Sequence, residues 1–300
     1  NGDGTVTLIT GAVDIGGVAK FSAIPQMVAE EMGIQVDQVI LSECDTDSSP
    51  YDHGDGGSRM TYSVGRVCQM AAEDAKRQIF ARAATMLDVS ADQLYLEQGA
   101  LWVRGGTEPA LTLAELAEMG RREKGGPIVG QASYLAEFPP FDPSLSEGLT
   151  YPAFLAPSFS AHAARVAVDR ETGKVTVRKL AAAHDVGRAI NPRAVEGQIE
   201  GGVAMALGYG LMEEVLMSEG RVLNPGLLDY KLPTAVDMPP VEPIIVEHPS
   251  TTGPFGVKGI GEPPASLPAA AVANAVADAV GVRAHRLPMT PEAVLRLLTE

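Results

Sequence analysis

The amino-acid sequence predicts an α+β fold in which mixed sheets pack against helices. Strand-like and helix-like segments follow one another in mixed order, without the regular alternation that a parallel βαβ sheet requires. Hydrophobic residues make up 45% of the 300 residues and charged residues 20%, which is typical of a globular protein with a sizeable core. A chain of this length can form one large domain or two medium-sized ones.

The first part of the chain contains two short strands and two helices. Apolar alternation or helical periodicity predicts, in order, a strand over residues 5–10, a helix over 22–32, a strand over 39–41 and a helix over 60–87. Pro25 must lie in the first turn of its helix, where its missing N–H costs nothing. A polar, glycine-rich loop over residues 45–59 leads into the second helix.

The second part begins with a predicted hairpin. Residues 161–169 and 174–181 alternate in polarity, and Gly173 can supply the positive φ of the tight turn between them. Pro192 marks the start of a glycine- and alanine-rich helix. The remainder is predicted as an irregular run and two helices, over residues 227–254, 268–280 and 291–299. A connecting loop over 141–157 separates a first segment, 1–140, from a second, 158–300.

Charge and cysteine content exclude several classes of protein. The net charge of −15 disfavours binding to nucleic acid or to an anionic membrane surface. No run of about 18 apolar residues appears, so no membrane span is predicted. Cys44 and Cys68 are too few for a disulfide framework or an iron–sulfur cluster. We therefore expect reduced, buried cysteines in a cytoplasmic protein.

Residues 256–262, the glycine–glutamate loop, are the most informative segment. Three glycines within six residues leave backbone N–H groups able to approach a ligand closely. Glu262 then precedes two prolines, which stiffen the backbone beyond it. A carboxylate held on a stiff loop beside a glycine-lined cavity suits a general base. On these residues alone, an ordinary surface loop with one glutamate is the alternative.

Two further segments are candidate ligand sites. Residues 54–59 offer backbone N–H groups and the Arg59 cation at a helix N-terminus, which is the arrangement of an anion site. The alternative is a helix start with a solvated arginine. Gln198 lies among small residues and can both donate and accept hydrogen bonds. Its alternative is a buried glutamine whose bonds are satisfied within the protein.

Five groups of residues occur in a characteristic order. They are Thr10-Gly11 with Asp14-Ile15-Gly16; Asp45-Thr46-Asp47; Gly57-Ser58-Arg59-Met60-Thr61; Asp185-Val186-Gly187 with Asn191-Pro192, Gly197-Gln198 and Gly201-Gly202; and Gly256-Val257-Lys258-Gly259-Ile260-Gly261-Glu262. Together they span nearly the whole chain and resemble the xanthine dehydrogenase/aldehyde oxidase family of molybdenum hydroxylases. The resemblance is to the C-terminal half of the molybdopterin-binding subunit.

The resemblance implies two molybdopterin-binding subdomains and a molybdenum cofactor, often a cytosine dinucleotide, whose metal no protein side chain binds. It implies that Glu262 is the catalytic base, which takes a proton from the attacking oxygen. Gln198 would contact the pterin or a metal ligand. The remaining cofactor-binding residues that it implies are Gly16, Gly17, Gly57, Ser58, Arg59, Lys258, Gly259, Ile260 and Gly261.

One motif departs from the family pattern. After Asp14-Ile15 the family usually has Gly-Gln-Gly-x-x-Thr, whereas this chain has Gly16-Gly17-Val18-Ala19-Lys20-Phe21-Ser22. The glutamine is absent in either register. The departure bears on the affinity for the cofactor and on the form of its nucleotide tail.

The resemblance also implies partners. The [2Fe–2S] cysteines, an FAD motif and the preceding half of the molybdopterin-binding part are not in this sequence. We therefore expect a split subunit or a fragment that works with a complementary half, a [2Fe–2S] subunit and an FAD subunit in a heteromeric complex. The expected reaction is hydroxylation of an N-heterocyclic or aldehyde carbon with oxygen from water. The alternatives are oxidation of CO, conversion of an aromatic thioester, and a structural homologue without cofactor.

Overall fold

The protein folds into two compact units. A computed structural model describes residues 1–122, 125–137 and 155–299. The first unit comprises Asn1–Ala156 and Pro249–Gly259, and the second comprises Pro157–His248 and Ile260–Glu300. The two molybdopterin-binding segments, 1–140 and 158–300, stay a prediction; as packing units the chain divides differently, because residues 249–259 join the first unit. Most of the predicted connecting loop, residues 141–154, lies outside the described residues.

The described residues of the first unit form two small sheets and three α-helices. Strands β1 (Val6–Leu8) and β2 (Val39–Leu41) pair in parallel. Strands β3 (Leu94–Glu97), β4 (Ala100–Val103) and β5 (Leu111–Thr112) form an antiparallel sheet. The helices are α1 (Ala23–Met32), α2 (Gly65–Leu87) and α3 (Leu113–Arg122), and a π-helical turn, Met60–Val64, leads into α2.

The core of the first unit is built mainly by α1 and α2. Ile24, Val28 and Met32 repeat every four residues along α1 and are all buried, as an amphipathic helix requires. Gly65 allows α2 to start close to α1, because a Cβ there would lie 2.8 Å from the Met27 sulfur. Gly33 then ends α1 in the left-handed conformation, with φ of 57°.

The second unit is a three-stranded sheet covered by helices. Its long strands are β6 (Ser160–Val168), β7 (Val175–Asp185) and β10 (Val241–Val246), and β8 (Met217–Ser218) and β9 (Arg221–Val222) form a separate short hairpin. The central strand β7 pairs antiparallel with β6 and parallel with β10. The helices are α4 (Pro192–Leu211), α5 (Pro263–Ser266), α6 (Pro268–Val280) and α7 (Pro291–Thr299).

The core of this unit lies between the sheet and two helices. Leu180 projects from β7 into a cluster with Ile199 and Val203 of α4 and with Val272 and Val276 of α6, and all five side chains are fully buried. Burying such side chains is the main favourable term in folding. The sheet therefore fixes α4, which carries Gln198, through apolar contacts on one helix face.

The sequence-based α+β prediction, with mixed sheets, is confirmed by this topology. The hairpin between β6 and β7 is also confirmed, with Gly173 at φ of 72°. Pro25 and Pro192 lie in the first turns of their helices, as predicted.

Three expectations were wrong. Strand β10 lies inside the run predicted to be irregular; Pro243 obscured it, because proline is tolerated on an edge strand such as this one. The helix predicted over 60–87 begins with a π-helical turn rather than α-helix. Cys44 is exposed, whereas Cys68 is buried as expected.

None of the helices in the described residues is long and apolar enough to cross a membrane.

The close approach of α4 to α5 gives a test of this packing. A Cβ on Gly202 would lie 2.9 Å from the Pro264 carbonyl carbon and 3.0 Å from the Ala265 nitrogen. We expect Gly202→Ala to lower the free energy of unfolding by about 1–3 kcal/mol, because the added methyl group would have to push the backbones of α4 and α5 apart. Denaturant unfolding measures the change.

Gly201→Ala is the matched control. A Cβ on Gly201 meets nothing within 4 Å in the described residues. Alanine should therefore raise helix stability there, by up to about 1 kcal/mol. Equal effects of the two substitutions would contradict the packing described for α4 and α5.

Candidate active site

The glycine–glutamate loop packs directly against the backbone of residues 57–59 within the first unit. A Cβ on Gly259 would lie 2.5 Å from the Ser58 carbonyl oxygen and 2.8 Å from the Ser58 Cβ. Only glycine fits this approach. Ser58 itself has φ of 57°, a conformation uncommon for a residue with a side chain. The structure thus brings together two segments that lie about 200 residues apart in the sequence.

Arg59 makes hydrogen bonds within its own loop. Its Nη1 donates to Asp52 Oδ1 at 2.7 Å and to the Gly54 carbonyl oxygen at 2.8 Å. Partial burial raises the pKa of Asp52, but the hydrogen bonds from Arg59 and from the Gly54 N–H outweigh it and hold that pKa below its usual value. The predicted cofactor contact of Arg59 stays a prediction; its observed contacts brace residues 52–59.

Several glycines in the first unit leave their backbone open. A Cβ on Gly16, Gly17, Gly54, Gly56 or Gly57 would meet nothing within 4 Å in the described residues. Gly16 and Gly57 have positive φ values of 111° and 70°. The Asp14 carboxylate accepts hydrogen bonds from the Gly16 and Val18 N–H groups at 2.8 and 3.1 Å, and so fixes the shape of the first of these loops. These backbones offer a ligand close approach without rearrangement.

In the second unit, Gln198 is bonded to the end of the glycine–glutamate loop. Its Nε2 donates to the Gly261 carbonyl oxygen at 2.7 Å, across 63 residues of sequence. The Tyr209 hydroxyl, further along α4, donates to the Ala265 carbonyl oxygen at 2.7 Å. Helix α4 therefore holds the backbone on both sides of Glu262.

Glu262 lies at the N-cap of α5 and is exposed in this chain. Its carbonyl oxygen accepts from the Ala265 N–H at 3.0 Å, and Pro263 and Pro264 form the first turn of the helix. The carboxylate is thus attached to a short, stiff backbone segment whose far side packs on Gly202. Such attachment limits the positions that the carboxylate can reach.

The predicted site residues are distributed over both units. Gly16, Gly17, Gly57, Ser58, Arg59, Lys258 and Gly259 belong to the first unit, whereas Gln198, Ile260, Gly261 and Glu262 belong to the second. Lys258 is buried, at 7% exposure. The chain passes from one unit to the other between Gly259 and Ile260, in the middle of the glycine–glutamate loop.

A histidine pair, in which His184 is buried and His162 is half-buried, lies next to the Asp185-Val186-Gly187 motif. His162 Nε2 lies 2.7 Å from His184 Nε2, and His184 Nδ1 lies 2.7 Å from the Ser160 oxygen. His184 is fully buried, and both of its ring nitrogens are within hydrogen-bonding distance of a neighbour. The sequence analysis missed His162, although the hairpin register, which pairs Ser160 with His184, could have indicated it.

This pair is neutral in the folded protein. Burial and the neighbouring His162 lower the pKa of His184 to about 4, and burial also lowers the pKa of His162. His162 Nδ1 is buried without a hydrogen-bond partner in the described residues. A lone pair there costs less than an unpaired N–H, which favours the arrangement in which His162 Nε2–H donates to His184.

The chain is similar to known proteins over nearly its whole length. A family model described as a molybdopterin cofactor-binding domain matches residues 1–239. The putative xanthine dehydrogenase molybdenum-binding subunit of Escherichia coli K12 is 37% identical over 298 residues, covering 97% of this chain and 37% of that protein. The nicotine 6-hydroxylase large subunit of Paenarthrobacter nicotinovorans is 33% identical over 299 residues, covering 98% of this chain and 35% of that protein.

The fold is similar to that of solved enzymes as well. Quinoline 2-oxidoreductase from Pseudomonas putida 86 superposes with a TM-score of 0.82 at 29% identity, covering 100% of this chain and 37% of that chain. A Cu,Mo-CO dehydrogenase gives a TM-score of 0.81 at 29% identity, covering 99% of this chain and 36% of that chain. The chain therefore spans little more than a third of the length of these relatives.

The histidine pair predicts a pH-dependent stability. The folded-state pKa of His184 is about 4, below the ordinary value of 6.5, so between these values the unfolded chain binds more protons. We expect the free energy of unfolding to be highest above about pH 6.5 and to fall by up to about 3 kcal/mol towards pH 4. Denaturant unfolding at a series of pH values measures the slope.

His184→Gln should reduce this slope, because glutamine keeps a hydrogen-bonding group but does not titrate in this range. His285→Gln is the control, since His285 is exposed. A slope unchanged by His184→Gln would show that the pair does not control the acid sensitivity.

Proposed function

Because the chain belongs to the family of molybdopterin cofactor-binding domains, we propose that it forms the C-terminal half of the molybdopterin-binding part of a molybdenum hydroxylase. The chain spans 37% of the length of its xanthine dehydrogenase relative. The activity, substrate and partners of the whole protein are therefore part of this proposal.

The residues present fit a molybdopterin cofactor. The backbones at Gly16, Gly17 and Gly57 leave room for the close approach of a pterin or a phosphate, because a Cβ at any of them would meet nothing within 4 Å in the described residues. Ser58, Lys258 and Gly259 would extend this surface in the first unit, and Gln198, Ile260 and Gly261 would do so in the second. When bound, the cofactor supplies the molybdenum that accepts two electrons from the substrate.

Glu262 is the catalytic base in this proposal. Its carboxylate oxygen takes the proton that the attacking, water-derived oxygen loses. The observation that carries this role is the 2.7 Å hydrogen bond from Gln198 to the Gly261 carbonyl, which holds the peptide directly before Glu262. A fixed carboxylate loses less freedom when the proton is transferred.

Gln198 is a positioning residue for Glu262 and also a contact for the cofactor. One amide hydrogen bond goes to Gly261. A glutamine amide has a second N–H and a carbonyl oxygen, which are suited to the mixed donors and acceptors at the edge of a pterin.

The substrate class proposed is an aromatic N-heterocycle. Three of the relatives are a xanthine dehydrogenase subunit, a nicotine 6-hydroxylase subunit and a quinoline 2-oxidoreductase. Xanthine, nicotine and quinoline all contain a nitrogen heterocycle. An aldehyde is the second substrate of the proposal, because the fold is also that of the aldehyde oxidoreductase from Desulfovibrio desulfuricans, at a TM-score of 0.78 and 27% identity. Oxidation of CO is the third candidate reaction, and it is supported by the 34% identity with a CO dehydrogenase large chain from Afipia carboxidovorans, which covers 85% of this chain and 30% of that protein.

Partners complete the proposed enzyme. They are a complementary molybdopterin-binding half, a [2Fe–2S] subunit and an FAD subunit, and the cofactor is proposed to be the cytosine dinucleotide. Glu262 is exposed in this chain, although proton transfer benefits from exclusion of water. The complementary half would supply the remaining wall of the pocket.

The proposal predicts the effect of removing the base. In the purified complex, Glu262→Gln should lower kcat by at least about 10²-fold, because general-base catalysis is typically worth about 10²–10⁴-fold. Molybdenum content per complex should stay at the parental level, since glutamine has nearly the same shape. Steady-state kinetics and metal analysis measure the two quantities.

Glu171→Gln is the matched control, because Glu171 is exposed in the turn between β6 and β7. It should leave kcat unchanged. Parental turnover by Glu262→Gln would exclude the proposed role, and a parental complex without stoichiometric molybdenum would favour the structural homologue without cofactor.

A further inference from the structure

Helix α5, which follows Glu262 directly, is a single turn of four residues. A helix this short has almost no stability of its own, because forming the first turn costs more conformational freedom than its hydrogen bonds return. Pro263 and Pro264 restrict the backbone, but neither has an N–H with which to anchor it. The position of α5, and of the Glu262 backbone that caps it, therefore depends on contacts with other parts of the second unit.

Helix α4 supplies these contacts along one of its faces. Gln198, Gly202 and Tyr209 are spaced by four and then seven residues, which places all three on the same side of a helix. Ile199 and Val203 lie on a different face, where they pack into the apolar core. Helix α4 thus has one face for the core and a neighbouring face for the segment that carries Glu262.

The last of these contacts is a hydrogen bond from the Tyr209 side chain. Its hydroxyl donates to the Ala265 carbonyl oxygen at 2.7 Å, the usual length of a well-formed O–H···O bond. Burial raises the pKa of Tyr209, so the hydroxyl keeps its proton and remains a donor. The Ala265 N–H in turn donates to the Glu262 carbonyl oxygen at 3.0 Å. Ala265 therefore connects the Tyr209 hydroxyl to the backbone of Glu262.

The segment that carries Glu262 is held at its other end by Gln198. The Gln198 amide donates to the carbonyl oxygen of Gly261, the residue directly before Glu262. Glycine allows a wide range of backbone angles, so an anchor at Gly261 alone would let the segment turn about that point. A second anchor at Ala265 removes most of this backbone freedom.

We propose that Tyr209 is a positioning residue for the catalytic base: its hydroxyl fixes the backbone after Glu262, so that the carboxylate stays aligned for proton transfer. The proposal rests on the proposed function, in which Glu262 is the base. A general base must lie within hydrogen-bonding reach of the proton that it takes, and a misplaced carboxylate takes it more slowly. Tyr209 acts through the backbone of residues 262–265 rather than by contact with the substrate.

The first experiment measures the mobility of this backbone without turnover. Hydrogen–deuterium exchange of the purified complex is followed in a peptide that covers residues 261–267. Tyr209→Phe keeps the ring and removes the hydroxyl, so we expect the amide of Ala265 to exchange about two- to tenfold faster, as the loss of one hydrogen bond implies. Tyr230→Phe is the matched control, because the Tyr230 hydroxyl donates to Glu213 at 2.7 Å rather than to α5. It should leave this peptide unchanged.

The second experiment measures steady-state kinetics on the same complexes, with the substrate used for Glu262→Gln. Tyr209→Phe should lower kcat about two- to tenfold and leave KM and molybdenum content at the parental level, because the hydroxyl is proposed to hold the base and not the substrate. Tyr230→Phe should leave all three quantities unchanged.

A double variant separates positioning from general stability. When Glu262 is already replaced by Gln, Tyr209→Phe should have no further effect on kcat, because no base remains to be positioned. A hydroxyl that only stabilised the fold would lower kcat by the same factor in both backgrounds.

The outcomes separate this inference from the proposed function. An unchanged exchange rate at Ala265 in Tyr209→Phe, or an unchanged kcat, would overturn the role of Tyr209 while leaving Glu262 as the base. Equal proportional losses of kcat with Glu and with Gln at position 262 would overturn it as well. Parental turnover by the single variant Glu262→Gln would instead overturn the proposed function, and the positioning role with it.

Discussion

The hydrogen bond from Gln198 to the Gly261 carbonyl is the interaction on which the candidate site depends. It joins the middle of α4 to the residue before Glu262, and the contact of Gly202 with Pro264 joins them again one turn further on. The apolar core beneath α4 fixes the helix against β7. The position of the Glu262 backbone therefore depends on the most buried part of the second unit. A side chain can be exposed and still be held in place when its backbone is anchored in this way.

Polar groups in the interior follow two different principles. Arg59 donates to Asp52 and to the Gly54 carbonyl oxygen, so this charge pair stabilises its own loop. The Ser160, His184 and His162 chain is likewise closed on itself apart from one nitrogen. The Gln26 Oε1 differs from these groups, because it is buried without a hydrogen-bond partner in the described residues.

Large apolar side chains are exposed in both units. In the second unit, Met205, Leu227 and Leu228 are 66%, 73% and 81% exposed, and in the first unit Ile15 and Phe21 are 76% and 63% exposed. Single exposed apolar residues are common, but groups of them mark surfaces that bind another protein or a ligand. This agrees with the fact that the chain spans little more than a third of its relatives.

The sequence by itself determined the features that depend on local chemistry. Positive φ at Gly173, the first-turn prolines of α1 and α4 and the apolar face of α1 follow from the residues themselves, and the ordered motifs identified the family. Tertiary structure decided which partner each side chain has. It brought His162 to His184 across the hairpin and joined Gln198 to Gly261. Periodicity and turn chemistry act over a few residues, whereas these contacts depend on strand register and helix packing between distant segments.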